Sequence, residues 1–188
     1  MLRSLMFVLV CGSVVAIGCT QKVEYVQAGE KETGAVSVSE ATWKQVQEKV
    51  AAHKGKVVVL DAWATSCPAC VEEFPGLVAL QKKHGDNVVC ISISCDYQGI
   101  KTKPPQFYRP KVLKFLTKEG ATFENLLATQ PADEMYSAMG VAAIPVVFVY
   151  GKDGKLVKRF DNESIEKEED AFTYKKDINK LVDGLVKK

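Results

Sequence analysis

An apolar segment opens the chain and a polar segment follows it. Arg3 precedes an apolar run of about thirteen residues, 5–17, which is short for a membrane span and typical of a signal peptide. Residues 20–37 are rich in Glu, Lys and Gly and have no sustained period, as in a flexible tether. The pattern therefore predicts a signal peptide, a tether and one folded domain, at residues 1–18, 19–38 and 39–188.

Apolar runs and helical periodicities alternate in the first half of this domain. Residues 56–62 (KVVVLDA) and 88–94 (VVCISIS) are short, apolar and β-branched, which predicts two buried strands. A helix is predicted between them, at about residues 70–84. An earlier helix, with Ser39 as its N-cap and Gly55 as its stop, has one apolar face, formed by Trp43, Val46 and Val50.

The middle of the domain combines loop, helix and strand patterns. Residues 99–110 contain three prolines and predict a loop. Residues 111–119 (KVLKFLTKE) have the spacing of an amphipathic helix, and residues 123–127 predict a short strand. A further helix is predicted with Pro131 in its first turn and Gly140 as its stop.

A hairpin and a closing helix are predicted at the carboxyl end. Residues 145–150 (PVVFVY) and 155–160 (KLVKRF) flank the turn sequence GKDG. The helix, from about residue 165, carries acidic residues early and lysines late, an order that complements the helix dipole. Its buried face is predicted to consist of Tyr174, Ile178, Leu181, Val182 and Leu185.

The order of these elements predicts the fold class. Strand, helix, strand, helix, hairpin and helix indicate an α/β fold with a central mixed β-sheet flanked by helices on both faces. A content of 47% hydrophobic and 26% charged residues agrees with a soluble globular domain. The formal net charge is only +2 and no basic stripe is interleaved with aromatic residues, so no nucleic-acid partner is expected. We expect a monomer.

Two of the six cysteines belong to the amino-terminal segments. Cys11 lies within the signal peptide. Cys19 follows Ala16-Ile17-Gly18, a sequence that resembles a bacterial lipobox with alanine in place of the usual leucine, so Cys19 is the predicted lipidation site. A plain secretory signal is the alternative. Either interpretation places the domain outside the cytoplasm, on the periplasmic side of a membrane, where disulfides persist.

Cys67 and Cys70 form a CxxC pair with three possible uses: a metal clip, a structural disulfide or a redox couple. Zinc needs four ligands, and the remaining cysteines, Cys90 and Cys95, should point to opposite faces of a strand. His53 and His84 are not in a ligand pattern, so no metal and no cofactor are expected. A disulfide that closes only two residues constrains the unfolded chain very little, which disfavours a purely structural bond.

The redox use fits a cysteine pair at the junction of a strand and a helix. Cys67 would lie at the helix amino terminus, which favours the thiolate, the nucleophile of disulfide exchange. Cys70 would lie one turn further on, shielded, and resolve the mixed disulfide. Asp61, at the end of an apolar strand, is the candidate proton acceptor, since burial raises a carboxyl pKa towards the range of proton exchange with a thiol. The alternative is an aspartate that faces water.

The segment 61–70 (DAWATSCPAC) resembles the active-site segment of thioredoxins. Pro75 is similar to the proline that kinks the following helix in that superfamily, and residues 140–148 resemble the segment that carries its cis-proline. The resemblance covers about residues 40–185 and implies a thioredoxin fold, with Trp63 packed beneath the site. The residues that it assigns to the substrate groove are Trp63, Ser66, Pro68, Ala69, Ile144 and Pro145.

Further features resemble the tethered extracytoplasmic TlpA-like, or ResA-like, thiol–disulfide oxidoreductases. These are Glu73-Phe74-Pro75, the long insert between Cys95 and Gly140, and the wide turn at residues 150–154. The resemblance implies protein thiols and disulfides as substrates, with apocytochrome c or another envelope protein among the candidates, and a protein redox partner. A non-catalytic binding or chaperone-like lipoprotein, and a peroxiredoxin-type peroxidase, are the alternative functions.

Several residues depart from the family pattern. Ser66 replaces the aromatic residue that usually precedes the first cysteine, and Pro68-Ala69 differs from the common pairs that help to set the reduction potential. The second predicted strand carries no lysine to pair with Asp61. Cys90 is expected to be a packed core thiol, whereas Cys95, at the end of its strand, is a third redox cysteine, a partner of a loop thiol, or inert.

Overall fold

The computed structural model describes residues 34–187 of the chain. The predicted signal peptide, Cys19 and most of the predicted tether lie outside these residues. Val38 is already buried and Val36 packs against the core, so ordered packing begins a few residues before the predicted boundary. None of the described helices combines the length and the apolar character needed to cross a bilayer.

Six strands and five α-helices form the described domain. In chain order they are β1 (Ser39–Ala41), α1 (Trp43–Ala52), β2 (Val57–Trp63), α2 (Pro68–His84), β3 (Val88–Ser94), α3 (Pro105–Glu119), β4 (Glu124–Ala128), α4 (Ala132–Met139), β5 (Val146–Tyr150), β6 (Leu156–Asp161) and α5 (Asn179–Val186). Short 3₁₀ turns occur at Gly85–Asn87 and Glu168–Asp170, and a π-helical turn, Tyr174–Ile178, leads into α5. The predicted β2, α2, β3 and hairpin are confirmed within one or two residues.

The strands form one mixed sheet in the order β1-β4-β3-β2-β5-β6. The first four strands in this order are parallel, and β5 and β6 are antiparallel to their neighbours. Strand β4, which comes from the predicted insert, lies between β1 and β3. The sheet with helices on both faces confirms the predicted fold class.

Alternation along the central strand β2 divides the core in two. Val57, Val59 and Trp63 point to the face covered by α2, α3 and α5, which we call the α2 face. Val58, Leu60 and Ala62 point to the opposite face, covered by α1 and α4. Since Asp61 is in register with the first set, the alternation directs its carboxyl group into the α2 face.

The prediction that a helix capped by Ser39 opens the domain is wrong. Ser39 belongs to β1, which pairs in parallel with Leu126–Ala128 of β4. Thr42 caps α1: its hydroxyl accepts a hydrogen bond from the Gln45 N–H, and the Gln45 side chain accepts one from the Thr42 N–H. The reciprocal pair is a capping box, and it satisfies two otherwise unpaired donors.

The predicted loop at residues 99–110 is too long, because α3 already begins at Pro105. Proline is tolerated in the first helical turn, where its missing N–H has no partner to lose. Pro110 lies inside the helix and removes one donor, yet the helix continues through it. Burial of Val112 and Leu116 in the α2 face supplies packing that outweighs this local loss.

The closing helix begins later than predicted, and its acidic residues precede it. The chain from residue 162 to 173 is irregular apart from the short 3₁₀ turn, so the interpretation of early acids on a helix dipole was wrong. Thr173 marks the true start, because its side chain accepts a hydrogen bond from the Lys176 N–H. The predicted apolar face is confirmed: Tyr174, Ile178 and Val182 are buried, and Leu181 and Leu185 pack against them.

Candidate active site

Cys67 and Cys70 are joined by a disulfide where the chain passes from β2 to α2. Cys67 is the N-cap of α2, its sulfur accepts a hydrogen bond from the Cys70 N–H at 3.2 Å, and Pro68 occupies the first helical turn. Cys67 is partly exposed, whereas Cys70 is only 3% exposed. One sulfur is therefore accessible to another molecule, and the other is shielded one turn inside the helix.

The loop before Cys67 is tied to the end of β3 by Asp96. The carboxylate of Asp96 accepts hydrogen bonds from the Thr65 N–H at 3.0 Å, from the Thr65 hydroxyl, and from the Ser94 hydroxyl at 2.7 Å. The Cys95 N–H also donates to the Trp63 carbonyl at 2.7 Å. Asp96 is not among the residues predicted from the sequence, although an acidic residue at the carboxyl end of a parallel strand next to the cysteine strand is a usable signal.

The segment before Pro145 reaches the accessible sulfur. The Ile144–Pro145 peptide bond is cis, and the Ile144 carbonyl oxygen lies 3.9 Å from Cys67 Sγ. Among the predicted groove residues, Ser66, Pro68 and Ala69 are exposed and Ile144 and Pro145 are partly exposed. The fold thus brings these two segments of the chain to one surface around Cys67.

Trp63 does not line this surface, so its assignment to the groove is corrected. Its side chain is fully buried, with ring centroids 4.8 Å from Phe74 and 4.7 Å from Phe115. A residue that packs between two helices in the core cannot touch a bound chain. Trp63 instead supports α2 and α3 from beneath the cysteines, as the resemblance also implied.

Asp61 is buried on the α2 face, which excludes the alternative of an aspartate that faces water. Its Oδ2 accepts a hydrogen bond of 2.6 Å from the Tyr174 hydroxyl. Burial raises the pKa of the carboxyl group from 3.8 to about 7, against the lowering effect of Tyr174, and the charge of Glu73 raises it further. A carboxyl group with such a pKa exchanges protons readily near neutral pH.

The buried Tyr174 and the half-buried Glu73 complete this group, and their connection to Asp61 was not predicted from the sequence. The Tyr174 N–H donates to Glu73 Oε2 at 2.8 Å. Tyr174 was predicted only as a core residue, and no sequence signal links it to an aspartate 113 positions away. Burial raises the pKa of the Tyr174 phenol, and the neighbouring Asp61 raises it further, so the hydroxyl keeps its proton and remains a donor.

Cys90 and Cys95 are free thiols, and both are buried. They lie on opposite faces of the sheet, as their spacing of five predicts: Cys90 on the α2 face and Cys95 on the other. Burial raises the pKa of Cys95 to about 12 and that of Cys90 well above its usual range. Neither thiol has the exposure or the thiolate character of a redox cysteine. Within residues 34–187, no three His, Cys, Asp or Glu side chains are grouped as metal ligands.

The chain matches the family model described as Redoxin over residues 27–175. It is 27% identical over 177 residues to the thiol-disulfide oxidoreductase ResA of Bacillus thuringiensis subsp. konkukian, covering 92% of this chain and 94% of that protein. The ResA of Bacillus cereus strain ATCC 10987 is also 27% identical, over 159 residues, with 84% and 83% coverage. The predicted resemblance to the ResA-like group is confirmed.

Solved structures show the same fold. A thiol:disulfide interchange protein of the thioredoxin family from Chlorobium tepidum superposes with a TM-score of 0.54 at 22% identity, covering 72% of this chain and 83% of that one. A secreted Mycobacterium tuberculosis disulfide oxidoreductase homologous to E. coli DsbE gives 0.51 at 21% identity, with 73% and 84% coverage. At these identities the likeness establishes the thioredoxin fold.

Proposed function

Because the chain belongs to the Redoxin family and is a thiol–disulfide oxidoreductase, we propose that it exchanges disulfides with extracytoplasmic protein substrates through Cys67 and Cys70. The observation that carries the proposal is the disulfide at the amino end of α2, with one sulfur accessible and the other buried. This asymmetry gives the two cysteines different tasks.

In the reducing direction the accessible cysteine attacks first. The Cys67 thiolate, favoured by the amino terminus of α2, forms a bond to one substrate sulfur and expels the other as a thiolate. The Cys70 sulfur then attacks Cys67 Sγ, which breaks the mixed disulfide and releases the second substrate thiol. The Cys70 proton passes to Asp61. Two electrons reach the substrate, and the Cys67–Cys70 disulfide remains; the oxidising direction reverses each step.

The exposed and partly exposed residues around Cys67 are the proposed substrate groove. Ser66, Pro68 and Ala69 form one side, and Ile144 and Pro145 form the other. The Ile144 carbonyl is next to the reacting sulfur, where it can accept a hydrogen bond from a substrate backbone N–H. Ser66 is smaller than the aromatic residue that the family usually has at this position, so the groove can accept a bulkier residue beside the substrate cysteine.

We further propose that the protein is held on the periplasmic side of a membrane by a lipid on Cys19. The apolar segment at residues 5–17 and the small residues before Cys19 support this proposal. Protein thiols and disulfides are then the substrates, with an apocytochrome c or another envelope protein as candidates, and a second protein restores the redox state of the pair. Fatty-acid labelling that persists in a Cys19→Ala variant would contradict the anchor.

Two single substitutions test the exchange mechanism on the reduction of insulin by dithiothreitol. Cys67→Ser removes the attacking sulfur and is expected to abolish catalysis, whereas Cys70→Ser is expected to accumulate mixed disulfides through Cys67. A Cys67→Ser protein that reduces insulin at the wild-type rate would overturn the proposal. Titration of the Cys67–Cys70 pair against a glutathione couple then gives the direction of electron flow, since a low reduction potential indicates a reductase and a high reduction potential indicates an oxidase.

A further inference from the structure

The hydrogen bond from Tyr174 to Asp61 joins two buried groups from distant parts of the chain. The phenol oxygen lies 2.6 Å from Asp61 Oδ2, and both side chains are almost fully buried. Among residues 34–187, no other group donates a hydrogen bond to this carboxylate, and no lysine, arginine or histidine forms an ion pair with it. Tyr174 is therefore the principal group that stabilises the charged form of Asp61.

The phenol is fixed in place by the helix that carries the cysteines. The Tyr174 N–H donates to Glu73 on α2, three residues after Cys70. One turn along from Glu73, Gly76 allows the closest approach: a methyl group there would lie 2.5 Å from Tyr174 Cγ and closer still to its Cβ. Helix α2 therefore sets the position of the phenol. The Asp61 carboxyl group that the phenol contacts lies on the α2 face of the sheet, as does Cys70.

The other groups that face Asp61 do not help it to hold a negative charge. Glu73 on α2 is acidic and raises the carboxyl pKa. On the neighbouring strands, Ser92 of β3 and Val147 of β5 are the residues paired with Asp61, and the Ser92 hydroxyl donates to Asn125 instead. The thiol of Cys90, also on the α2 face, is neutral. Among the residues that the structure describes, the Tyr174 hydroxyl alone opposes these unfavourable surroundings.

We propose that Tyr174 is a positioning residue for disulfide exchange: its hydroxyl holds Asp61 ionised and oriented to accept the proton of Cys70. The inference rests on the proposed function. In the step concerned, the Cys70 S–H bond breaks and its proton passes to the Asp61 carboxylate. The Cys70–Cys67 bond forms with the freed electron pair, and the bond from Cys67 to the substrate sulfur breaks as the substrate leaves as a thiolate. Tyr174 itself gains and loses no atom.

The step can be isolated with 5,5′-dithiobis(2-nitrobenzoate), a small aromatic disulfide whose thiolate is coloured. Attack by Cys67 releases a first equivalent of thiolate, and attack by Cys70 on the mixed disulfide releases a second. The measurement uses the reduced full chain carrying Cys11→Ser and Cys19→Ser, so that no amino-terminal thiol contributes. Stopped-flow absorbance from pH 5 to 9 then gives a separate pH profile for each phase.

Tyr174→Phe is expected to leave the first phase unchanged and to slow the second by about tenfold at pH 7, the size expected for loss of a hydrogen bond to a charged group. The acid limb of the pH profile of the second phase should move to higher pH. At the alkaline end of the profile, the second-phase rates of the variant and the wild type should converge. The matched control is Tyr136→Phe, which removes the same hydroxyl from a tyrosine that packs on the opposite face of the sheet, the face covered by α1 and α4. This substitution should alter neither phase.

A double substitution separates positioning from a general structural effect. In an Asp61→Asn background, which has no carboxylate to hold, Tyr174→Phe should cause no further slowing of the second phase. Equal slowing in both backgrounds, or an unchanged pH profile in Tyr174→Phe, would overturn the inference. A wild-type chain that releases only one equivalent would overturn the proposed function itself, and a two-phase release unaffected by Tyr174→Phe would overturn the inference alone.

A second measurement covers the case in which Tyr174→Phe fails to fold. Biosynthetic replacement of the tyrosines by 3-fluorotyrosine keeps the hydroxyl and makes it a stronger donor. The acid limb of the second phase should then move to lower pH, in the direction opposite to that of Tyr174→Phe. An acid limb that does not move would contradict the role of the Tyr174 hydroxyl.

Discussion

The Thr65 N–H donates to the Asp96 carboxylate at 3.0 Å, so the loop that ends at Cys67 is fastened to the end of the neighbouring strand. The same carboxylate accepts from the hydroxyls of Thr65 and Ser94 and is itself buried. Loss of a charged acceptor costs more than loss of an average hydrogen bond, above all for a donor that stays desolvated, such as the buried Ser94 hydroxyl. The contact therefore supports both the stability of the domain and the placement of the accessible sulfur.

Asp96→Ala is expected to lower the free energy of unfolding by about 2–4 kcal/mol, since it leaves three donors without their acceptor. The attack of Cys67 on a disulfide should also slow, because its loop is no longer fixed. Urea unfolding and insulin reduction measure the two effects. Asp133→Ala, an exposed position in α4, should change stability by less than about 0.5 kcal/mol. Equal losses for the two variants would contradict the role of Asp96.

Gly76 and Gly184 provide a matched pair of helical glycines. In a helix, alanine is usually favoured over glycine by about 1 kcal/mol, and Gly184→Ala in α5 meets nothing within 4 Å, so it should stabilise the protein. Gly76→Ala adds the same methyl group against Tyr174 and should instead destabilise it by about 1–3 kcal/mol through overpacking. Chemical denaturation of both variants checks the opposite signs. A stabilising Gly76→Ala would show that Tyr174 does not press against α2.

The repeating patterns of the sequence predict most of the fold, because one side-chain period governs each element. Strands β2 and β3 carry short, mostly apolar runs, and the hairpin has a turn sequence between two segments with the pattern of strands. The errors arise where local signals conflict with packing. Prolines at positions 105 and 110 suggest a loop but lie inside α3, and acidic residues after position 165 suggest a helix start but precede it.

The CxxC pair and Asp61 could be predicted because their chemistry depends on local position, at the end of a strand and the start of a helix. The partners of Asp61 could not. Tyr174 has the spacing of an apolar helix face, and only the closed fold shows that its hydroxyl meets a carboxylate 113 residues earlier. Asp96 was missed for a similar reason, since its contact with Thr65 depends on the parallel pairing of β2 with β3.

Cys90 and Cys95 are expected to be unreactive while the domain is folded, because both are buried and both have raised pKa values. A brief exposure of the reduced protein to iodoacetamide at pH 7.5 should modify Cys67 and leave these two thiols unmodified, as measured by peptide mass spectrometry. Modification of all of them after unfolding in guanidinium chloride is the positive control. Labelling of Cys95 in the native protein at a rate close to that of Cys67 would restore it as a candidate redox cysteine.

The buried carboxyl group of Asp61 makes stability depend on pH. Its pKa is about 7 in the folded protein against 3.8 for an ordinary aspartate, so the folded state holds a proton that the unfolded state has already released. Its contribution to stability is therefore full below pH 3.8 and is lost as the pH rises through about 7. Between pH 5 and 8.5 the loss amounts to about 3 kcal/mol.

Asp61→Asn keeps the shape of the side chain and an acceptor for Tyr174 but cannot ionise. The free energy of unfolding of the oxidised variant, minus that of the oxidised wild type, should therefore be about 3 kcal/mol larger at pH 8.5 than at pH 5. Urea unfolding at the two pH values measures this difference, and Asp86→Asn, at an exposed position, should show no such dependence. A variant whose stability relative to the wild type is the same at both pH values would mean that Asp61 is already ionised at pH 5, and that its burial does not tune it for proton exchange with Cys70.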